Sequence, residues 1–216
     1  MSLTLEHRYR PGSDQSNPSP AIIMLHGYGS DENDLFSFAE AIPSNYAVVS
    51  LRAPLNLQPY GYAWYTIYFD QPGGKFSDDA EAIRSREIIS ENIDKAIELY
   101  ALDPKRITLM GFSQGAILSL AVGLSYPEKV KQVAALSGYV NPEILRSGFE
   151  QNDFSGLRIF SSHGLVDQVI PVSWGQRTPG FLDSLGIKNE FHEYPVGHGV
   201  APQNFYDLLD WLETGN

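Results

Sequence analysis

Apolar residues occur in short, nearly continuous runs at Ala21-Ile22-Ile23-Met24-Leu25, Ala47-Val48-Val49-Ser50-Leu51, Arg106-Ile107-Thr108-Leu109-Met110, Val133-Ala134-Ala135-Leu136 and Leu157-Arg158-Ile159-Phe160. Runs of this length without alternation suit strands covered on both faces. Between them the period becomes helical. Ile89, Ile93, Ile97 and Tyr100 share one face of a helix that begins near Asp79 and is stopped by Asp103-Pro104. Ala116 to Leu124 reads as a buried helix, a helix from Val172 to Leu185 leads to a strand at Glu190 to Tyr194, and Phe205, Leu208, Leu209 and Leu212 mark a last helix. Leu3, Leu5, His7 and Tyr9 alternate with polar residues, as in a half-exposed edge strand. Strands alternating with helices predict the α/β class, a mostly parallel sheet with helices on both faces. There is no internal repeat, so residues 1–216 are expected to form a single domain.

Two other segments carry expectations. Ser30 is placed to cap a helix whose first turn holds Asp31, Glu32 and Asp34. Pro11 to Pro20 reads as a loop, and Leu55 to Ser77 as a long one rich in aromatics (Tyr60, Tyr62, Trp64, Tyr65, Tyr68, Phe69). A loop that long inside a compact domain is usually functional.

The candidate chemistry centres on Gly111-Phe112-Ser113-Gln114-Gly115, set between a predicted strand and a predicted helix. That context is a nucleophile elbow, a turn so tight that glycine is needed on both sides of the serine. A serine hydroxyl needs a base, and the base an orienting carboxylate, in the chain order Ser, Asp or Glu, His. After Ser113 come His163, His192 and His198. His192 lies within a strand, and His163 precedes the best-placed acid, which reverses the order. Chain order and loop placement favour His198, in Gly197-His198-Gly199, where flanking glycines would let the loop turn sharply. Among Asp153, Asp167 and Asp183, Asp167 lies just beyond a strand end, where catalytic groups of open α/β sheets collect. An oxyanion would be met by the Gln114 amide and by the Tyr28 amide of His26-Gly27-Tyr28-Gly29. The glycines around Tyr28 lack the third position of a dinucleotide loop. His163 and Asp167 have no third partner for a metal, so no metal and no cofactor are expected.

Composition narrows the partners. A net charge of −11 argues against nucleic acid and anionic membrane surfaces. The absence of cysteine excludes a thiol nucleophile and thiolate metal sites. With no signal-length apolar core and no spanning segment, a cytoplasmic protein without stable membrane insertion is expected, as monomer or homodimer.

Five motifs, taken together and in order, give the chain a specific resemblance. Leu25-His26-Gly27-Tyr28-Gly29-Ser30-Asp31-Glu32-Asn33-Asp34, Trp64-Tyr65, Gly111 to Ala116, His163-Gly164-Leu165-Val166-Asp167 with Pro171, and Gly197-His198-Gly199 resemble the phospholipase/carboxylesterase family. That family includes the acyl-protein thioesterases and is a lidless branch of the α/β-hydrolases. The resemblance spans about residues 21 to 212. It implies a Ser113, Asp167, His198 triad and an oxyanion hole from the Tyr28 and Gln114 amides. The expected activity is hydrolysis of small-molecule substrates, namely small to medium acyl esters, with thioesters or lysophospholipids also in view, and the alternatives are an acyltransferase on the same triad or an acyl-protein thioesterase. Tyr28 and Thr66 depart from the family's common Leu or smaller residue and Asp, which bears on acyl length. Trp64, Tyr65 and Trp174 are expected to line the acyl site, within an open cleft that accepts small to medium acyl groups.

Overall fold

The computed structural model describes residues 2–13, 18–71 and 74–214, the side chains of 69–71 and 74–76 excepted. In chain order the strands begin with β1 (His7–Arg10), β2 (Ser19–Leu25) and β3 (Ala47–Leu51). Two small hairpins follow, β4 (Leu55–Asn56) with β5 (Tyr62–Ala63) and β6 (Ile67–Gln71) with β7 (Gly74–Ser77). Next come α1 (Asp79–Tyr100), β8 (Leu102–Phe112), α2 (Gln114–Ser125) and β9 (Gln132–Leu136). The chain ends with β10 (Arg158–Gly164), α3 (Val172–Gly175), α4 (Thr178–Ser184), β11 (Lys188–Tyr194) and α5 (Pro202–Glu213).

Seven strands form one sheet in the order β1-β3-β2-β8-β9-β10-β11. The edge strand β1 runs antiparallel to β3 and every other neighbouring pair is parallel. The uninterrupted apolar runs follow from burial on two sides. Ile22 and Met24 pack with Val48, Met110 and Phe160 under Leu208 and Trp211 of α5. Ala21, Ile23 and Leu25 face the other core, with Ile89 and Ile93 of α1 and Leu120 of α2. The five inner strands β2, β3, β8, β9 and β10 therefore feed two cores with alternate residues.

Some sequence expectations are corrected. Ser30 caps no α-helix. Its hydroxyl donates to Asp34, Asp31 accepts from the Asn33 amide in a local turn, and a 3₁₀ turn begins only at Leu35. Short polar side chains bonding the nearby backbone here offer an alternative to the helix. The expected helix from Val172 to Leu185 is two pieces, α3 and α4, with Pro179 in the first turn of the second. The loop expected from Leu55 to Ser77 contains the two hairpins, and that expected from Pro11 to Pro20 lies partly outside the described residues.

The sheet order reverses direction between β2 and β8, because β2 leads to β3 on one side and β8 to β9, β10 and β11 on the other. A crevice opens beyond the carboxyl ends of strands at such a point. The turn from β8 into α2 sits there, and its packing is extreme. A Cβ on Gly115 would lie 1.9 Å from the Leu25 carbonyl oxygen at the end of β2, and one on Gly111 would lie 2.2 Å from the Gly115 carbonyl. Both contacts are with backbone, which cannot swing aside. Gly115→Ala is expected to cost about 3 kcal/mol or more in folding stability, checked by urea denaturation; a loss below about 1 kcal/mol would show that α2 can move off β2.

Candidate active site

Ser113 occupies the residue between β8 and α2 with φ 55° and ψ −117°, a conformation costly for a side chain with a Cβ. The strain projects its hydroxyl away from the strand, and α2 directs its N-terminal amides toward the same space. His198, in the loop from β11 to α5, places Nε2 2.9 Å from the Ser113 hydroxyl. Its Nδ1 lies 2.7 Å from Asp167 Oδ2, in the loop after β10. An Nδ1–H donating to the carboxylate leaves Nε2 to accept from the serine hydroxyl, so geometry sets the tautomer. Asp167 Oδ1 accepts from the amides of Val169 at 2.8 Å and Ile170 at 2.9 Å. Burial pushes the Asp167 carboxyl upward, but the hydrogen bonds from His198 and these two amides outweigh it and hold its pKa below the ordinary value.

The other two histidines after Ser113 make no hydrogen bond in this chain, although His163 Nε2 lies 3.4 Å from Asp167 Oδ2. His192 stacks on Phe160, with ring centroids 5.0 Å apart. His163 is buried and donates from Nε2 to the Ile170 carbonyl at 2.8 Å, bracing the loop that carries Asp167. What brings the Asp167 and His198 loops together is Gly164, where a Cβ would lie 2.1 Å from the Gly197 carbonyl. Gly197 and Gly199 were expected to permit a sharp turn, yet neither has a positive φ. Among the described residues no group of three or more His, Asp or Glu side chains could hold a metal.

The loop after β2 lies against the serine, for a Cβ on Gly27 would be 3.4 Å from the Ser113 Cβ. His26 orders this loop from within the core. Its Nε2 accepts from the Ala53 amide at 3.0 Å, so Nδ1 carries the proton and donates to the Gly27 carbonyl at 2.7 Å. Burial holds the His26 pKa below the usual imidazole value, which keeps this tautomer neutral. The Gly27–Tyr28 peptide is trans, so its N–H points opposite to the carbonyl that His26 captures. Farther along, the Gly29 amide donates to the Tyr62 carbonyl at 2.9 Å and the Tyr62 amide to the Ser30 carbonyl at 2.8 Å. Arg52, stacked over the Tyr62 ring, makes two hydrogen bonds of 2.6 Å to the buried Glu32 carboxylate.

Trp64, expected to line the acyl site, does not line the cavity beside Ser113. It is fully buried, its indole N–H donating to the His26 carbonyl at 2.9 Å, and that bond holds it behind the loop. The Gln114 side chain accepts from the Trp64 amide at 2.9 Å and donates to the Tyr65 carbonyl at 2.6 Å. This clamp was missed in the sequence, where Gln114 drew notice only for its backbone. It presents Tyr65 to a cavity of about 530 Å³ that Ser113 and Gln114 also line. Its apolar wall also includes Ile117, Ile170, Trp174 and Phe181 and the ring of Tyr139. Trp174 lines the same cavity as Ser113. Tyr60 and Tyr68 are exposed and outside the cavity, and the Phe69 side chain lies outside the described residues.

With this geometry in hand, comparison with known proteins is direct. A family model described as Phospholipase/Carboxylesterase matches residues 12–216. The chain belongs to the phospholipase/carboxylesterase family. Acyl-protein thioesterase 1 of Mycosarcoma maydis is 28% identical over 218 residues, covering 91% of each protein. A probable carboxylesterase of Oryza sativa subsp. japonica is 29% identical over 214 residues, covering 89% of this chain and 76% of the relative. Among solved structures, esterase PE8 superposes with a TM-score of 0.85 at 25% identity, covering 98% of this chain and 99% of that one. The fold is that of the α/β-hydrolases, and the protein is a hydrolase of the serine esterase family.

The Glu32–Arg52 pair gives this family member a testable acid response. Hydrogen bonds from Arg52 hold the Glu32 pKa below its ordinary value. The pair therefore stabilises the fold above the unfolded carboxyl pKa of about 4.3 and loses that contribution as pH falls through the folded value. Glu32→Gln is expected to cost about 2 kcal/mol at pH 7, the 30% exposure of the Arg52 side chain keeping the loss below that of a fully buried pair. It should also flatten the acid limb of the stability profile. Urea denaturation at a series of pH values checks both effects; an acid limb as steep as wild type would remove Glu32 from the account.

Proposed function

We propose that this protein is a serine carboxylesterase for small to medium acyl esters, with thioesters and lysophospholipids within its range, and that the whole chain serves as one catalytic domain. The observation that carries the reading is the unbroken hydrogen-bonded chain from the Ser113 hydroxyl through His198 to Asp167. In the proposed reaction His198 takes the Ser113 proton as the hydroxyl attacks the carbonyl carbon. Asp167 keeps the imidazole in the required tautomer and stabilises it once charged. The Tyr28 and Gln114 amides receive the oxyanion, held in place before reaction by the His26 bond and the first turn of α2. His198 then protonates the leaving group, and a water activated by the same imidazole releases the acid from Ser113. The 28% identity to a named acyl-protein thioesterase supports thioesters as substrates beside oxygen esters.

Ser113→Ala is expected to lower kcat on a nitrophenyl ester by about four to six orders of magnitude, and Asp167→Asn by about two to four. A fluorophosphonate should add once, on the peptide that contains Ser113, as read by mass spectrometry. Full turnover by the Ser113 variant, or labelling of another residue, would overturn the assignment. A matched ester and thioester pair measures the leaving-group preference.

A further inference from the structure

The cavity beside Ser113 is not uniformly apolar. Arg177 and Asp79 both line it, and so does the Tyr139 phenol. Of the nine arginines in the chain, eight have an ion-pair, hydrogen-bond or ring partner. The Arg177 side chain has none among the described residues, in a protein with 26 carboxylate side chains against 15 cations. A cation left without a counter-charge in so acidic a chain, on the wall of a cleft that contains the nucleophile, is available to a ligand. The Tyr139 hydroxyl makes no hydrogen bond among the described residues, its pKa is raised by burial and by the Asp79 charge, and its ring is fixed edge-on against Trp174 at 5.0 Å. A partly buried tyrosine hydroxyl ordinarily finds a partner.

Asp79 is the opposing charge, but its situation differs. It accepts from the Asn141 side chain at 3.2 Å and stands at the first residue of α1, where the helix N-terminus offsets negative charge. Arg177 has no such compensation. The position of His198 says which half of an ester meets it. Ser113 and Gln114 line the cavity and His198 does not. The leaving group departs on the side of the imidazole that protonates it, so the acyl group, bonded to Ser113, is the part that fills the cavity.

Resting on the esterase reading, we propose that Arg177 selects acyl groups ending in a carboxylate, so that the preferred substrates are monoesters of dicarboxylic acids. A guanidinium offers a carboxylate two parallel hydrogen bonds, and Tyr139 can donate a third.

The test compares three nitrophenyl esters of similar length on one enzyme preparation: the monoadipate, the uncharged hexanoate and a trimethylammonio-alkanoate. Wild-type kcat/KM, corrected for spontaneous hydrolysis, should favour the monoadipate over the hexanoate by about tenfold, as one charge-assisted contact allows. The preference should shrink with added salt. Arg177→Gln should bring the ratio to about one, Arg177→Lys should restore part of it, and Arg177→Glu should favour the cationic ester. Because the ratio is taken within each preparation, partial unfolding cancels. A wild-type preference for the hexanoate or the cationic ester, or a ratio that survives Arg177→Gln, overturns the proposal while leaving the esterase intact. Failure to hydrolyse the hexanoate as well would instead bring down the esterase reading and this one with it.

Discussion

The first turn of α2 lies so close to the end of β2 that the Gly115 Cα faces the Leu25 carbonyl with no room for a methyl group. Much of the site follows from that contact. It draws α2 down onto the parallel sheet at the point where strand order reverses, so the amides of its first turn open into the crevice beyond β2 and β8. The same closeness forces the connecting residue, Ser113, into a positive φ that a serine adopts only when its surroundings leave no alternative. Strain is thereby converted into position: the hydroxyl stands at the sheet edge instead of packing against it. A second close approach, Gly164 against the Gly197 carbonyl, brings the loops after β10 and β11 together, and with them the carboxylate and the imidazole.

Around that skeleton the polar groups are fixed before any substrate arrives. The His26 imidazole, made neutral by burial, spends one nitrogen on the Ala53 amide and the other on the Gly27 carbonyl. The loop it holds is tied again by Tyr62 and by the Glu32–Arg52 pair. Dipoles that need not reorganise are worth more to a developing oxyanion than mobile ones, because the cost of orienting them was met in folding. The same logic applies to Asp167, whose free oxygen accepts two backbone amides and so cannot rotate away from His198.

The parts of this arrangement that could be read in the chain are those where local chemistry dictates geometry. Gly111-Phe112-Ser113-Gln114-Gly115 implied a turn too tight for side chains, and both glycines meet backbone oxygen at that turn. Continuous apolar runs implied strands buried twice over, as β2 and β3 are. What could not be read depends on contacts between distant segments. Nothing near Trp64 reveals that its indole will be claimed by the His26 carbonyl and withdrawn from the cleft. Nothing near Gln114 announces that its side chain clamps the backbone of residues 64 and 65. The glycines flanking His198 looked like the cause of its loop's path, whereas the cause is Gly164, more than thirty residues earlier. Ser30 to Asp34 carried the signature of a helix start, but the side chains bonded to one another and to nearby backbone instead.

This separation has a consequence for specificity. The Ser113, Asp167 and His198 side chains sit just beyond the ends of sheet strands, where register leaves them little freedom. Beside Gln114 and Ile117 of α2, the walls of the cavity come from the segment between β5 and β6 at Tyr65, the loop after β9 at Tyr139 and the broken helix pair at Trp174 and Phe181. These pieces share no motif and lie outside the strand ends that lead to Ser113, Asp167 and His198, although α3 packs on β10 and α4 on β11. In the proposed reaction, substitutions at Tyr139, Trp174 or Phe181 would therefore change which acyl group fits more than they change bond-making at Ser113. A family built on this plan can keep one chemistry while its members differ in substrate, because much of the cavity wall comes from segments other than the strained turn, even though Gln114 of that turn holds Tyr65 in place.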